Sequence, residues 1–128
     1  MEKTKLKALA IYLDCEIDEA ERFKEDYLVL TDDEADQAVK EYIRENLWTF
    51  YASFIAYHVQ GDYDSMKKAI EAMQDKMYEA CNEVIYKLIN DFDHFVEEAI
   101  RQSGRGLSLS TYNGHENECE GFYIYRLN

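Results

Sequence analysis

The sequence predicts an α+β fold in which a mostly helical body is followed by a C-terminal β-hairpin. The chain has 128 residues, no proline and five glycines, and four of these glycines lie in the last 25 residues. Because glycine favours turns and proline ends helices, this distribution predicts long helices first and a turn-rich tail afterwards. Apolar residues recur every three or four positions up to residue 103, whereas they alternate in 107–112 and 122–127. We expect a single domain, 1–128, with the helical body at about 31–103 and the hairpin at about 107–127.

The clearest helix start in the chain is at Thr31. Before it, the apolar run 6–13 is too short to decide between helix and strand, and 16–26 is largely charged and expected to be exposed. Thr31 and Glu34 have the spacing of a capping box, in which each side chain accepts a hydrogen bond from the other residue's backbone N–H. A helix is therefore predicted from here to about Leu47.

Three more helical segments are predicted before the tail. The nearly all-apolar segment 48–59 is expected to be a buried helix that ends at Gly61. Asp64 is expected to cap a long helix. Its apolar positions form one stripe, which consists of Met66, Ile70, Met73, Met77, Cys81, Val84 and Leu88. A last helix over 92–103, separate or continuous with it, is expected to end at Gly104.

The tail is predicted to contain two strands. The segments 107–112 and 122–127 alternate in polarity, and Asn113-Gly114 is a strong turn dipeptide. The connection between them is too long for a two-residue turn, so we expect a wide loop.

The charge of the chain excludes several classes of function. There are 27 acidic and 14 basic residues, which gives a net charge of −13 and a pI of about 4.5. Such a chain repels phosphate groups and anionic lipids, so we expect no direct nucleic-acid or membrane-surface binding. The apolar run after Lys7 is too short for the core of a signal peptide. Three cysteines without a CxxC pair suit a reducing compartment, so we expect a cytoplasmic location.

No arrangement of residues typical of catalysis or metal binding is present. Among the scattered histidines and cysteines, only His115 and Cys119 have a local ligand spacing, whereas a structural zinc site needs four ligands. Cys81 lies on an apolar stripe, and acidic neighbours are expected to raise the pKa of Cys119. There is no nucleophile elbow and no phosphate-binding loop. We therefore predict no catalytic residue, no metal and no cofactor.

Acidic residues are concentrated around the helix that is predicted to begin at Thr31. Residues 14–45 contain 13 acidic and 4 basic side chains. A row of carboxylates along a helix of about 25 Å can imitate the phosphates of a nucleic acid and bind a basic protein. The predicted partner-binding residues are Asp32, Asp33, Asp36, Glu41 and Glu45. The simpler interpretation is a solvated acidic face that has no partner.

The tail loop is a second candidate site. Its members combine a cation with hydroxyl, imidazole and carboxylate groups: Arg105, Tyr112, His115, Glu116 and Glu118. An arginine between two glycines can bind a carboxylate or a phosphate in bidentate fashion, and a histidine can titrate near neutral pH. In the simpler interpretation, Arg105 caps carbonyls or pairs with a neighbouring acid, and Asn113-Gly114 only turns the chain.

Two segments carry a resemblance to a protein family. Tyr27–Asp36 resembles a YLVLTDEEAD segment, and 104–126 is similar to a closing GRGHxLSxYDGxExE…FYIYR pattern. Both patterns belong to a family of small acidic proteins of bacteriophages and prophages, and the resemblance covers 27–128. This chain departs from the family at two positions, where Leu107 replaces a histidine and Asn113 replaces an aspartate. If either family residue were catalytic, this chain would be impaired.

The resemblance implies a phage context rather than a particular reaction. Together with the acidic residues, it predicts a non-enzymatic protein that inhibits or modulates a basic, nucleic-acid-handling host protein in the host cytoplasm. Anti-restriction and anti-CRISPR proteins that mimic nucleic acids act in this manner. Two alternatives remain at this point: a small enzyme or ligand binder that uses the Arg105–Glu118 loop, and an acidic oligomeric structural protein.

Overall fold

The structure is a computed structural model that describes residues 1–128. Its helices are α1 (Lys3–Leu13), α2 (Ile17–Phe23), α3 (Asp32–Glu45), α4 (Ala52–Ala56), α5 (Tyr63–Met77), α6 (Asn82–Leu88), α7 (Phe92–Ser103) and α8 (Gly106–Leu109). Its strands are β1 (Tyr27–Leu30), β2 (Asn117–Cys119) and β3 (Phe122–Arg126). With 66% helix and a C-terminal β-hairpin, the predicted α+β class is confirmed. None of the helices has the length and apolar character needed to cross a membrane.

The chain divides into two compact units. The sheet unit comprises Met1–Val39 and Ser103–Asn128, and the helical unit comprises Lys40–Gln102. The sheet unit contains the whole sheet with α1, α2 and α8. The helical unit contains α4, α5 and α6.

The sheet of the sheet unit is antiparallel and has the strand order β1-β3-β2. Val29 of β1 lies opposite Ile124 of β3. Both are buried and pack with Leu6 and Leu9 of α1. The undecided apolar run 6–13 is therefore helical, because a helix places these leucines on one face against the sheet. The apolar segment 27–30 supplies the third strand.

The C-terminal hairpin differs from the predicted one in its first strand and in its turn. β2 pairs with β3 through a two-residue turn of Glu120 and Gly121, whose φ angles are 53° and 79°. Two positive φ angles are typical of the tight type I′ turn, so the predicted wide loop is wrong. The alternating segment 107–112 is not a strand, because 106–109 forms α8. Leu109 is buried while Leu107 is exposed, which fits a helical turn, because residues two positions apart lie on opposite sides of a helix but on the same face of a strand.

The predicted capping box at the start of α3 is confirmed. The backbone N–H of Thr31 donates to Oε1 of Glu34 at 2.9 Å, and the N–H of Glu34 donates to Oγ1 of Thr31 at 3.2 Å. Nζ of Lys5 donates to the same Glu34 oxygen at 2.7 Å. The cap therefore also ties α1 to the start of α3.

The helical unit begins differently from the prediction. A 3-10 turn at Leu47–Thr49 and the short α4 replace the expected helix over 48–59. The cap of α5 is Asp62 and not Asp64, because the Asp62 carboxylate accepts a hydrogen bond from the Ser65 N–H at 3.0 Å. The core of the unit contains several side chains that are at most 1% exposed: Ile43, Leu47, Ile55, Ile70, Cys81, Ile85 and Phe95.

The predicted long helix is broken at Tyr78. α5 ends at Met77, a 3-10 turn spans Tyr78–Cys81, and α6 then begins. A β-bridge between Val59 and Ile89 brings the end of α6 next to the segment that leads into α5. The chain therefore reverses direction between α5 and α6, and we refer to α5, the turn at Tyr78 and α6 together as the helical hairpin. The predicted apolar stripe is divided by it: Ile70 and Cys81 are buried, Met66 and Met73 are half-buried, and Met77, Val84 and Leu88 are exposed.

Candidate functional site

Arg105 is the centre of an ionic cluster in the sheet unit. Its Nη1 lies 2.8 Å from Oδ1 of Asp32 and 2.9 Å from Oδ1 of Asp36, and its Nε lies 2.7 Å from Oε1 of Glu116. Nη1 also donates to the Asp32 carbonyl at 3.1 Å. The arginine side chain is only 9% exposed. One buried cation thus contacts three carboxylates from two distant parts of the sequence.

Local structure positions these groups. Asp32 and Asp36 lie one turn apart at the start of α3, and Arg105 directly precedes α8. A Cβ atom at Gly106 would lie 2.3 Å from the carbonyl oxygen of Gly114, so only glycine permits this approach of the two segments. The close approach brings Glu116 to the guanidinium.

Two tyrosines of β3 complete the Arg105 cluster. The guanidinium lies over the ring of Tyr123, at 4.6 Å from its centroid, and the Tyr125 hydroxyl donates to Oε1 of Glu116. Burial and the hydrogen bond to Glu116 raise the pKa of Tyr125. Burial alone would lower the pKa of Arg105. Its carboxylate partners raise the pKa by more than burial lowers it, so the net shift is upward. Arg105 therefore stays charged and Tyr125 keeps its proton, an arrangement that suits holding segments together rather than exchanging protons near neutral pH.

The residues of the predicted loop site are not brought together as one site. Arg105 and Glu116 contact each other within the cluster, whereas Tyr112 lies under the Arg126 guanidinium, at 3.8 Å from its ring centroid. His115 is exposed, and its backbone N–H donates to the Asn113 side chain at 3.0 Å. Glu118 is exposed on β2. A binding role of the loop stays a prediction.

Leu107 and Asn113, at which the expected pattern has a histidine and an aspartate, lie at the surface of this loop. Leu107 is 68% exposed, and Asn113 is exposed with its Oδ1 3.0 Å from the Ser110 hydroxyl. Neither residue takes part in the hydrogen bonds and ion pairs of Arg105.

The predicted acidic row is distributed around α3. At about 100° per residue, Glu41 projects about 180° away from Asp32 around the helix axis. Asp32 and Asp36 are ion-paired with Arg105, although their side chains are still 66% and 57% exposed. Asp33 is exposed. The five carboxylates thus do not form one continuous row.

Glu41 and Glu45 instead border a cavity within the helical unit. The cavity has a volume of about 750 Å³ and is lined by the end of α3 and by the segment 79–83. It holds four carboxylates, those of Glu41, Glu45, Glu79 and Glu83, and a single cation, Arg44. Trp48 forms part of its wall. We refer to this cavity as the acidic cleft.

Asn82 fixes the geometry of the acidic cleft. Its Nδ2 donates to the Glu45 carbonyl at 2.5 Å, and its Oδ1 accepts from the Trp48 N–H at 2.8 Å. The Trp48 ring meets the Tyr78 ring edge to face, with centroids 6.3 Å apart. One amide side chain thus ties the end of α3 and the tryptophan to the start of α6.

Arg44 is held at the side of the acidic cleft. Its Nη2 lies 3.4 Å from Oε2 of Glu83, and its guanidinium lies 3.9 Å from the centroid of the Tyr86 ring. The cleft therefore keeps an excess of negative charge. Sequence reasoning missed Glu79, Glu83 and Trp48, because it predicts one straight helix where the structure has the turn at Tyr78.

The cysteines are not activated for nucleophilic chemistry. All three are free, and burial raises the pKa of each thiol. For Cys15, which lines a second cavity of about 420 Å³ in the sheet unit, Glu19 and Asp14 raise the pKa further. No group of three or more histidine, cysteine or carboxylate side chains is placed to hold a metal ion.

The geometry of the chain thus offers one packed ionic cluster and one open acidic cleft. Comparison of the chain with protein-family models, with curated proteins and with solved structures gave no match.

Proposed function

We propose that the chain is a non-enzymatic binding protein whose acidic cleft receives a basic segment of another protein. The observation that carries this proposal is the composition of the cleft, in which four carboxylates and a tryptophan surround one arginine. Carboxylates that line a concave surface reinforce each other's potential, because the protein walls screen them less than water does. The cleft therefore favours a cation over an anion.

The cleft suits both the apolar stem and the charged head of a lysine or arginine side chain. Its apolar stem can lie along Trp48, while its charged head reaches the surrounding carboxylates. The side chain of Glu83 is 58% exposed, so it is open to a ligand. A protein segment with several basic residues would engage more than one of the four carboxylates at once.

The class of partner is part of the same proposal. Surfaces rich in lysine and arginine are typical of proteins that bind nucleic acids. The resemblance to phage proteins supports a host protein of this kind, as for anti-restriction or anti-CRISPR inhibitors, and a place in the host cytoplasm. Among the predicted partner-binding residues, Glu41 and Glu45 lie in the cleft, whereas Asp32 and Asp36 are held by Arg105.

Two variants of equal charge test the acidic cleft. The cleft variant carries Glu41→Gln, Glu45→Gln, Glu79→Gln and Glu83→Gln. The control variant carries Glu16→Gln, Asp18→Asn, Glu25→Gln and Asp75→Asn, all at exposed positions that do not line the cleft. Both variants lose four negative charges, so they differ only in where the charge is removed.

Affinity capture from bacterial host lysate identifies the partner, whose Kd is then measured by calorimetry with the purified protein. We expect the Kd of the cleft variant to rise by about tenfold or more, and that of the control by less than about threefold. Wild-type binding is expected to weaken between about 50 mM and about 500 mM NaCl. An equal loss in both variants would show that net charge alone drives binding, and unchanged binding by the cleft variant would exclude the cleft.

A further inference from the structure

Tyr78 has a backbone conformation that side chains rarely adopt. Its φ is 51° and its ψ is −133°, at the point where α5 ends. Glycine adopts this region freely, whereas a residue with a Cβ atom is strained there. Tyr78 is 63% exposed and its ring contacts the Trp48 ring only edge to face, so burial of the tyrosine does not explain the strain.

The sequence on both sides of Tyr78 favours a straight helix instead. There is no glycine between Gly61 and Gly104 and no proline in the chain, so nothing local requires a break. At about 100° per residue, Met77, Val84 and Leu88 would all project within about 40° of Ile70 on one continuous helix. In the hairpin, these three side chains are 41%, 41% and 36% exposed.

Tertiary contacts hold the hairpin closed. They join residues before Tyr78 to residues after it: Asn82 binds Glu45 and Trp48, and Ile89 forms the β-bridge to Val59. Cys81 and Ile85 have no exposed surface. None of these contacts requires that both sides belong to the same chain.

We propose that Tyr78 is the hinge of a segment exchange between two copies of this chain. In the exchanged dimer, α5 and α6 join into one helix over 63–88, and residues 79–128 of one copy pack on residues 1–77 of the other. The exchange keeps the contacts of the closed chain and releases the strain at Tyr78 in both copies. Because association costs entropy, the dimer forms at high protein concentration.

Two substitutions at the hinge test the proposal in opposite directions. Tyr78→Gly removes the strain of the closed chain and disfavours a helix, whereas Tyr78→Ala keeps the strain and favours a helix. Each variant is unfolded in denaturant, refolded at about 5 μM and at about 500 μM, and analysed by size exclusion with light scattering. At the higher concentration, we expect at least about tenfold more dimer for Tyr78→Ala than for Tyr78→Gly.

A disulfide at the β-bridge shows whether the dimer is exchanged. Residues paired in a β-bridge are close enough for a disulfide, so Val59→Cys and Ile89→Cys are combined with Cys15→Ser and Cys119→Ser. After oxidation, the monomer is expected to contain the disulfide within one chain. The exchanged dimer is expected to become covalent on non-reducing gels, because the bridge then joins two chains.

A spin-label distance supports the same test without altering the core. Labels at Lys68 and Lys87, both exposed, would have Cα atoms about 29 Å apart on a continuous helix, and clearly closer together in the hairpin. A monomer at both concentrations would overturn the proposal. So would a dimer whose amount is the same in both hinge variants and whose spin-label distance is that of the monomer. These outcomes do not involve a basic partner, so they are independent of the proposed function.

Discussion

Arg105 shows how one side chain can connect segments that the sequence keeps far apart. Asp32 and Asp36 precede it by about 70 positions, and Glu116 follows it in the tail, yet all three carboxylates contact its guanidinium. Because the guanidinium has five N–H donors in a planar fork, it can bind several oxygens at once, which lysine cannot do in this geometry.

Removal of Arg105 is expected to destabilise the protein. Arg105→Met keeps an apolar stem but leaves three carboxylates close together without their cation, and we expect a loss of about 2 to 4 kcal/mol. The exposure of Asp32 and Asp36 to water keeps the loss from being larger. Urea unfolding at pH 7 measures this change in the free energy of unfolding.

Arg101→Met is the matched control for Arg105→Met. Arg101 also pairs with a carboxylate, that of Glu98, but its side chain is 71% exposed. We expect a loss below about 0.5 kcal/mol, as for other surface ion pairs. Equal losses for the two variants would contradict a structural role of the Arg105 cluster.

Gly106 is expected to tolerate no side chain. A Cβ atom there would lie 2.3 Å from the Gly114 carbonyl oxygen and 2.9 Å from the Glu116 nitrogen, both backbone atoms that cannot move alone. We expect Gly106→Ala to cost about 2 kcal/mol or more by thermal or urea unfolding. Gly104→Ala meets no atom within 4 Å and is expected to cost only about 1 kcal/mol, because of its positive φ. A smaller loss at Gly106 than at Gly104 would contradict the steric argument.

At the scale of elements, the start of α3 illustrates a structure that is encoded locally. The capping box at Thr31 and Glu34 was predictable because both partners lie within one turn. The contact of Glu34 with Lys5 was not, because it depends on where α1 packs. This second contact changes the titration of the cap.

Glu34 is expected to contribute to stability in a pH-dependent manner. The hydrogen bonds from Lys5 and Thr31 lower the pKa of Glu34 from 4.5 to about 2. Because the folded-state pKa lies below the unfolded value, this contribution is fully present above pH 4.5 and is lost as the pH falls towards 2.

A titration of two variants measures the contribution of Glu34. Glu34→Gln is expected to be less stable than wild type at pH 7, with a difference that shrinks steadily below pH 4.5 in urea unfolding experiments. Glu25→Gln, which removes the same charge at an exposed position outside the capping box, serves as the control. A difference that is independent of pH would contradict the assignment.

The helical hairpin illustrates the opposite case, in which packing overrides a local pattern. Met73, Met77, Cys81 and Leu88 have the spacing of one helix, and no glycine or proline marks the turn at Tyr78. The turn exists because it lets Asn82 hydrogen-bond to Glu45 and Trp48 and lets Cys81 be buried. A periodic pattern reports which residues are apolar, but it does not report strain that distant contacts maintain.

At the scale of the whole molecule, the net charge of −13 opposes folding. The sheet unit contains 15 acidic and 7 basic residues, and the helical unit contains 12 acidic and 7 basic residues. Each unit therefore has a net negative charge, and the like charges within it repel each other. Compact states with a large net charge are destabilised by this repulsion, which salt screens.

Added salt is therefore expected to stabilise the protein. We expect the Tm to rise by a few degrees between about 20 mM and about 500 mM NaCl, and to rise less in the four-amide control variant, whose net charge is smaller. Calorimetry at several NaCl concentrations measures the trend. A Tm that is constant or falls with salt would show that the ion pairs, rather than the repulsion, dominate the electrostatic energy.

The sequence by itself determined the α+β class, the capping box, the acidic character and part of each candidate site, namely Arg105 and Glu116 in the one and Glu41 and Glu45 in the other. These features depend on composition or on neighbours within one helical turn, so they are readable without the fold. Only the tertiary structure decided that Arg105 joins Asp32 and Asp36, that Glu41 and Glu45 face Glu79 and Glu83, and that the chain turns at Tyr78. Each of these brings together residues more than 30 positions apart or imposes a strained backbone, and only packing of the whole chain sets such contacts.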